Sequence, residues 1–407
     1  MTLKERTFTS EKGAVFVQVG ISIFVMMAFN VFVLDYGMMW VGRRQAQNAA
    51  DAGALAAGTA RAYDDFTSPP STTGIAAQSA QQVVAQNLVW QEAATPEVLF
   101  TCPAGVTGNC IQVNVYRNGQ NGSTALPTLF GPIFGINDQG VRATATAIVA
   151  KGNATNCLRP IAFPDDWLDS TPNNQFDGYD ETTGLPLAVN PDLYTAPTLT
   201  EPGRTTSPAD LGKRIIWQLG AAPLTSPIRL TPGNSTLTTL ALALTLPGST
   251  PSTFQQDVNT CSGQMVELGD TLTVSLTPPP ATTFSTLLTQ DPTVLWNEGN
   301  SRIDKSCAPA CAPISPRLIP VALFDPARYQ LGRSLTPPDW TRGDVGCPTN
   351  DPCITVTNIV GFFVHGQAGI YPPHGHILKY PGITSPTAPT PELTDDASWL
   401  VSTHLIR

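Results

Sequence analysis

Residues 14–61 read AVFVQVGISIFVMMAFNVFVLDYGMMWVGRRQAQNAADAGALAAGTAR, and the two halves of that stretch obey different rules. The first half, residues 14–41, carries no basic side chain over about 28 positions, where roughly 20 apolar residues suffice to cross a bilayer. Residues 34–61 have no proline and abundant alanine, so the helix is expected to continue through them. A helix over 14–62 would be roughly 70 Å long at 1.5 Å per residue, and more than half of it would project beyond the hydrocarbon. In the projecting part Ala46, Ala49, Ala50, Gly53, Ala57 and Ala60 recur at spacings of three and four. Such a stripe of small residues lets another helix approach closely. Of the polar residues in the apolar run, Asn30 lies deep and is expected to face another helix, whereas Asp35 is within reach of the interface.

A cleavable signal is the rival reading, because the alanine-rich sequence could offer a small-residue cleavage site. The apolar run is about twice the usual 7–15-residue signal core, and Arg43 and Arg44 flank its exit as a stop-transfer signal would, so a retained anchor is expected. Basic residues do not orient it, since Lys4, Arg6 and Lys12 before the run balance Arg43, Arg44 and Arg61 after it. Cysteines do. All 8 lie after the run, and Cys102 with Cys110, Cys307 with Cys311 and Cys347 with Cys353 form short-range pairs suited to disulfides. Paired cysteines place the long C-terminal part outside the cytoplasm, although full connectivity stays open.

The first module resembles the N-terminal part of the TadE/TadG-like proteins of bacterial tight-adherence (Flp) pilus assembly. The resemblance rests on Glu11, Lys12, Gly13 and Ala14 before the apolar helix and on Asp35, Tyr36 and Gly37 at its exit. It continues through the long run from Arg43, Arg44 and Gln45 to Asn48, Ala49, Ala50, Asp51, Ala52, Gly53 and Ala54. A Phe-Gly segment within residues 126–136 and a strand of alternating alanines over 141–149 extend the likeness to about residue 151. The resemblance implies a single-pass protein of the bacterial inner membrane with a cytoplasmic N-terminus. Its partners would be other pilus-assembly or secretion-system proteins, with pilin subunits as further candidates. Asp35, Tyr36, Arg43, Arg44, Asn48, Ala50, Asp51 and Gly53 are the expected interaction residues. Pseudopilins of this system are cut after a glycine, with glutamate five residues on; here Gly13 and Ala14 would flank the cut and Gln18 takes the glutamate position. The TadG branch often carries a metal-binding Asp-x-Ser-x-Ser motif, and this sequence has none.

Beyond Lys151 the chain changes character, because 32 of its 38 prolines follow that residue. Apolar residues make up 42% and charged residues only 13%, against about 25% charged in an average domain, so the surface is largely neutral and polar. That composition favours turn-rich β structure. The expected class is α+β: residues 1–13 cytoplasmic, 14–41 transmembrane, 42–151 a small helical and β neck, and 152–407 a proline-rich, disulfide-bearing β domain. Residues 76–89 read as a short amphipathic helix packing back on the long one. Leu240, Leu242, Leu244 and Leu246 mark a strand with one buried face, and residues 318–324 and 354–364 more fully buried strands.

A net charge of −9 with 22 basic residues scattered along the chain gives no footprint for a nucleic acid. Hydrolase, zinc-protease and nucleotide-binding signatures are absent from the sequence, so no enzymatic activity, metal or cofactor is expected. The competing reading is a membrane-tethered binding protein or metal-dependent enzyme with its activity in residues 157–407. It rests on His365, His374 and His376, since a His-x-His segment can turn two imidazoles to one side. The adjacent pair Asp165 and Asp166 reads as solvated surface.

Overall fold

A computed structural model describes residues 11–63, 69–120, 122–165, 167–171, 173, 175–195, 211–220, 236–249, 253–275, 284–299, 302–304, 315–334, 337–366, 373–385 and 399–406. The chain divides into two units, Met1–Val149 with Thr403–Arg407, and Ala150–Ser402.

The first unit is built on one helix, α1 (Glu11–Tyr63). Among the described residues it is the one helix long and apolar enough to cross a membrane. Its surface changes at Asp35. Before that residue nearly every described side chain is exposed, including Phe16, Phe24, Phe29 and Phe32; from it onward one face is buried through Ala46, Ala49, Ala50, Ala54 and Ala57. Against that face lie α2 (Ile75–Gln86) and the sheet of β1 (Thr95–Leu99), β2 (Asn109–Arg117) and β5 (Val141–Lys151), with the hairpin arms β3 (Leu126–Pro127) and β4 (Asp138–Gln139) between β2 and β5 in sequence. The C-terminal strand Leu400–Ile406 lies next to β5 in this sheet.

Side-chain size explains the packing. The register sets Ile111 beside Ala147, Val113 beside Ala145 and Val115 beside Ala143, so the middle of the sheet's buried face offers branched residues from β2 and alanines from β5, with Val141 at one end of the row. A Cβ added to Gly53 would stand 2.6 Å from Val84 Cγ2, and one added to Gly58 would stand 3.3 Å from Ala147 Cβ. The small-residue stripe expected to receive a helix of another protein therefore receives α2 and β2 of this chain. Ala50 and Gly53 are interior residues and not a contact surface, because the room their missing side chains leave is already filled. The alternate residues of β2 carry a polar network on its other face. The Tyr116 hydroxyl and the Asn114 amide donate to Glu97 at 2.6 and 3.0 Å, and Thr144 donates to Asn114 at 2.7 Å. These bonds, Tyr116 foremost, hold the Glu97 carboxyl below its usual range.

The second unit contains β6 (Ala154–Thr155), β7 (Ile161–Pro164), β8 (Arg214–Gly220), β9 (Thr236–Thr245), α3 (Phe254–Asn259), β10 (Val266–Glu267), β11 (Thr271–Val274), α4 (Ser285–Gln290), β12 (Leu295–Asn297), β13 (Arg302–Asp304), β14 (Leu318–Phe324), α5 (Pro326–Arg333), β15 (Cys353–Gly366), β16 (His374–Leu378) and β17 (Tyr380–Pro381). Its main sheet runs β11-β15-β14-β7-β9-β8-β16, and further pairings of β15 with β16 and of β11 with β9 close it into a hydrogen-bonded circuit. Closure leaves few free edges. Both sheet faces are buried: Ile161, Phe163, Val321 and Phe362 belong to one cluster, Ala162, Leu244, Ala322 and Phe324 to another. Strand β9 differs from its expected single buried face, since Ala241, Leu242, Ala243 and Leu244 are all buried. Its alternation is one of size and not of polarity. Asp165 also departs from the solvated reading, being fully buried and accepting the Tyr194 hydroxyl at 3.0 Å.

Two of the expected disulfides are present, Cys102–Cys110 and Cys347–Cys353, and a third, Cys157–Cys261, ties residues 104 apart. Cys307 and Cys311 lie outside the described residues. The fit at Gly53 has a measurable consequence. Gly53→Leu must overpack the contact between α1 and α2 and should destabilise the first unit by ~1–3 kcal/mol. Thermal melting and limited proteolysis of the full chain in detergent would show it; an unchanged transition would mean that the two helices can separate without loss.

Candidate functional site

The interaction residues read from the sequence separate into two sets along the part of α1 beyond residue 34. One set is internal. Asp35 is only 4% exposed, and its carboxylate accepts backbone N–H bonds from Leu129 at 2.9 Å, Phe130 at 3.2 Å and Gly131 at 2.7 Å. It therefore neither faces a lipid headgroup nor waits for a partner helix: a loop of its own chain occupies it. Ala50 and Gly53 are internal as described, and Asp51 accepts from Gln47 at 2.8 Å while Gln47 also donates to the Thr144 carbonyl at 3.2 Å.

The other set is open. Tyr36, Arg43, Arg44 and Asn48 are exposed, together with Trp40 and Leu55. Spacings of three and four put them on one stripe of α1. Its aromatic members are held in place: Phe32 and Tyr36 stack at 5.5 Å between centroids, and the Arg44 guanidinium sits 5.0 Å above the Trp40 ring. Tyr and Trp at this level suit a membrane interface, where an apolar ring and a polar tip both find their medium. Gly13, Ala14 and Gln18 belong to the first turns of α1, with Gly13 and Ala14 exposed.

Two site residues were not anticipated from the sequence. Gln45 accepts the Trp90 backbone N–H at 2.8 Å. Trp90 and Gln91 both have positive φ, +52° and +64°, conformations that cost about 1–2 kcal/mol per residue outside glycine, so this bond secures a strained turn. Gly42 is the second: a Cβ there would stand 2.7 Å from Leu126 Cδ1. Its place in the motif, one residue before the arginines, carries no signal of its own.

Residues 13–62 match the Tad family model, described as "Putative Flp pilus-assembly TadE/G-like". Over those residues α1 is similar to the TadE/G-like family. No curated protein and no solved structure matches the chain. The matched span covers the whole apolar half of α1 and both sets of residues described above. Within the matched span Asp35, Gly42, Gln45, Ala46, Ala50, Gly53 and Ala57 make contacts inside this chain, and the exposed stripe is what it offers outward.

The second unit brings His365, His374 and His376 together, with ring centroids 5.5 Å apart for His365 and His374 and 5.6 Å for His365 and His376. They are packed as aromatic residues. Trp296 stacks on His376 at 3.9 Å, and the His376 Nδ1 bonds the Gly212 carbonyl at 2.9 Å. Burial lowers the affinity of all three rings for protons, and Arg214 adds to the effect. Among the described residues no group of three or more His, Cys, Asp or Glu side chains is placed to hold a metal.

Burial drives the His376 pKa down to about 4 from the ordinary value of 6.5. The unfolded chain then binds the extra proton between those values, so stability is full above 6.5 and falls as pH drops toward 4. The loss should reach about 3 kcal/mol at most. His376→Phe keeps the stacking and removes the titration; its melting temperature should vary less between pH 7 and pH 4.5 than that of the unmodified chain, and an equal slope would assign the acid sensitivity elsewhere.

Proposed function

We propose that this chain is a single-pass, non-enzymatic component of an Flp pilus system, anchored in the bacterial inner membrane by the first half of α1. Its role is to assemble or anchor the pilus from the extracytoplasmic side. The observation that carries the reading is the TadE/G-like match over residues 13–62 on a helix whose apolar half is uncovered. The three disulfides among the described residues support an oxidising location for both units.

The contact surface for other pilus-assembly proteins is the exposed stripe, with Arg43 and Arg44 its charged centre and Tyr36, Trp40 and Asn48 around them. A stripe on a helix rooted in the membrane meets partners at a fixed height, which suits an assembly ordered along the membrane plane. Arg43→Glu with Arg44→Glu reverses the charge without touching the core. We expect at least a roughly tenfold loss of co-purified assembly proteins, or ~1.4 kcal/mol, with unchanged amounts of the protein in membranes. Wild-type recovery and normal piliation would remove the stripe from consideration.

Orientation has its own check. Protease added to intact spheroplasts should remove the second unit and leave an N-terminal fragment in the membrane. Protection of the second unit until lysis would place it in the cytoplasm.

A further inference from the structure

The loop that Asp35 holds is ordered, apolar and uncovered. Its arms β3 and β4 pair Leu126 with Gln139 and Pro127 with Asp138, and its tip is the 3-10 turn Gly131–Phe134. The Thr128 hydroxyl donates to the Ile136 carbonyl at 2.6 Å, and the Ile136 N–H donates to the Gly131 carbonyl at 2.9 Å, so the tip is cross-braced. A Cβ on Gly131 would stand 2.4 Å from the Ile136 oxygen, and Gly135 has φ of +78°; both glycines are needed for the turn to close. Yet this braced tip carries its apolar side chains outward. Leu129 and Ile133 are each 65% exposed and Ile136 is 50% exposed, with Phe130 partly so. Residues 125–137 contain no charged side chain.

The helix fixes where this tip sits. Leu126, on the arm, meets α1 at Gly42, whereas Leu129, Phe130 and Gly131 meet it at Asp35. Those positions are seven residues apart, about 10 Å along the helix axis. From arm to tip the loop thus runs back along α1 toward its apolar, N-terminal half. It stops at the level where that half begins, beside the exposed Phe32, Val33 and Leu34. The exposed side chains of the loop thus lie at the level on α1 where its uncovered half ends.

We propose that residues 128–136 form a second membrane contact, a wedge that dips Leu129, Ile133 and Ile136 into the phospholipid headgroup and acyl boundary of the leaflet from which α1 emerges. The proposal rests on α1 being a membrane span. Lipid fits this surface because the exposed side chains Leu129, Phe130, Ile133 and Ile136 are apolar, the N–H groups of Leu129, Phe130 and Gly131 are tied to Asp35 and those of Ile133, Gly135 and Ile136 to carbonyls of the tip itself, and the depth matches the helix exit. An interfacial segment of this kind sinks about 5–10 Å into the boundary. With no basic residue in the loop, its insertion is insensitive to salt and to anionic lipid. The wedge gives α1 a lateral brace, so that the helix cannot rotate about its axis and the exposed stripe faces one direction in the membrane plane.

The test uses the full chain reconstituted in vesicles of phosphatidylcholine, with a nitroxide label at a single introduced cysteine. Three positions are compared: Ile133→Cys in the loop, Ile23→Cys in the span, and Val345→Cys in the second unit, where the native side chain is 96% exposed. Collision with a water-soluble nickel reagent should fall at least about fivefold at position 133 relative to 345, with a depth within the outer 10 Å of the boundary. Adding phosphatidylglycerol or salt should leave the value unchanged. Asp35→Asn, which weakens the carboxylate's hold on three N–H groups, should return part of the lost accessibility at 133 while position 23 stays shielded. A shielded position 23 with a water-exposed position 133 overturns the wedge and keeps the span. Exposure at both positions removes the span and the wedge with it. Shielding at 133 that occurs in native membranes but not in pure lipid would assign the surface to a protein and overturn the proposal.

Discussion

The close approach of α2 and the sheet to α1 depends on a change in side-chain size at Asp35. A helix that is large and apolar on all sides has no distinguished face, and the first half of α1 is uncovered all round. Past Asp35 the large residues withdraw from one face and alanine and glycine replace them, so that face can be approached to backbone distance. The alanines of β5 and the glycines of α1 are two sides of one requirement. Enlarging either separates the layers that bury Ile111, Val113 and Val84. The change along α1 is therefore one of side-chain volume as much as of polarity.

That constraint explains how much of the first unit could be read from its sequence. The long apolar run, the continuation of α1 beyond it and the return of residues 76–89 onto the long helix follow from hydropathy and periodicity. The identity of what covers the small-residue stripe does not. Spacing at three and four is the same whether the neighbour is another protein or a helix twelve residues further along the chain. Asp35 was misleading for a related reason: a carboxylate at a membrane exit is ordinary, and nothing local shows that residues 129–131, some 95 positions later, supply its donors. The same holds for Gln45 and the strained turn at Trp90.

In the second unit the sequence was less transparent still. Strand β9 alternates leucine with alanine and threonine, and in sequence such an alternation of size looks the same as one of exposure. The Cys157–Cys261 pair joins distant segments, and the buried Asp165 finds its partner in Tyr194 from another loop. The histidines do converge, as their spacing suggested, but on Trp296 and on a backbone carbonyl, and with arginines near enough to oppose protonation. A cluster of imidazoles packed in this way serves the core of the unit. The metal-dependent reading of residues 157–407 gains nothing from it.

The internal use of the motif also bears on what the family resemblance means. Several of the matched residues beyond the apolar run are explained by contacts within this chain: Asp35 by the loop it holds, Gly42 by Leu126, Gln45 by Trp90, and the buried alanines by α2 and β2. In this chain the matched residues beyond Asp35 serve first to pack α2 and a small sheet against α1. Tyr36, Trp40, Arg43, Arg44 and Asn48 are exposed on α1 and take no part in packing α2 or the sheet against it. The pilus assignment therefore stands or falls on the exposed stripe and on the second unit, where the folding requirement does not already account for the residues present.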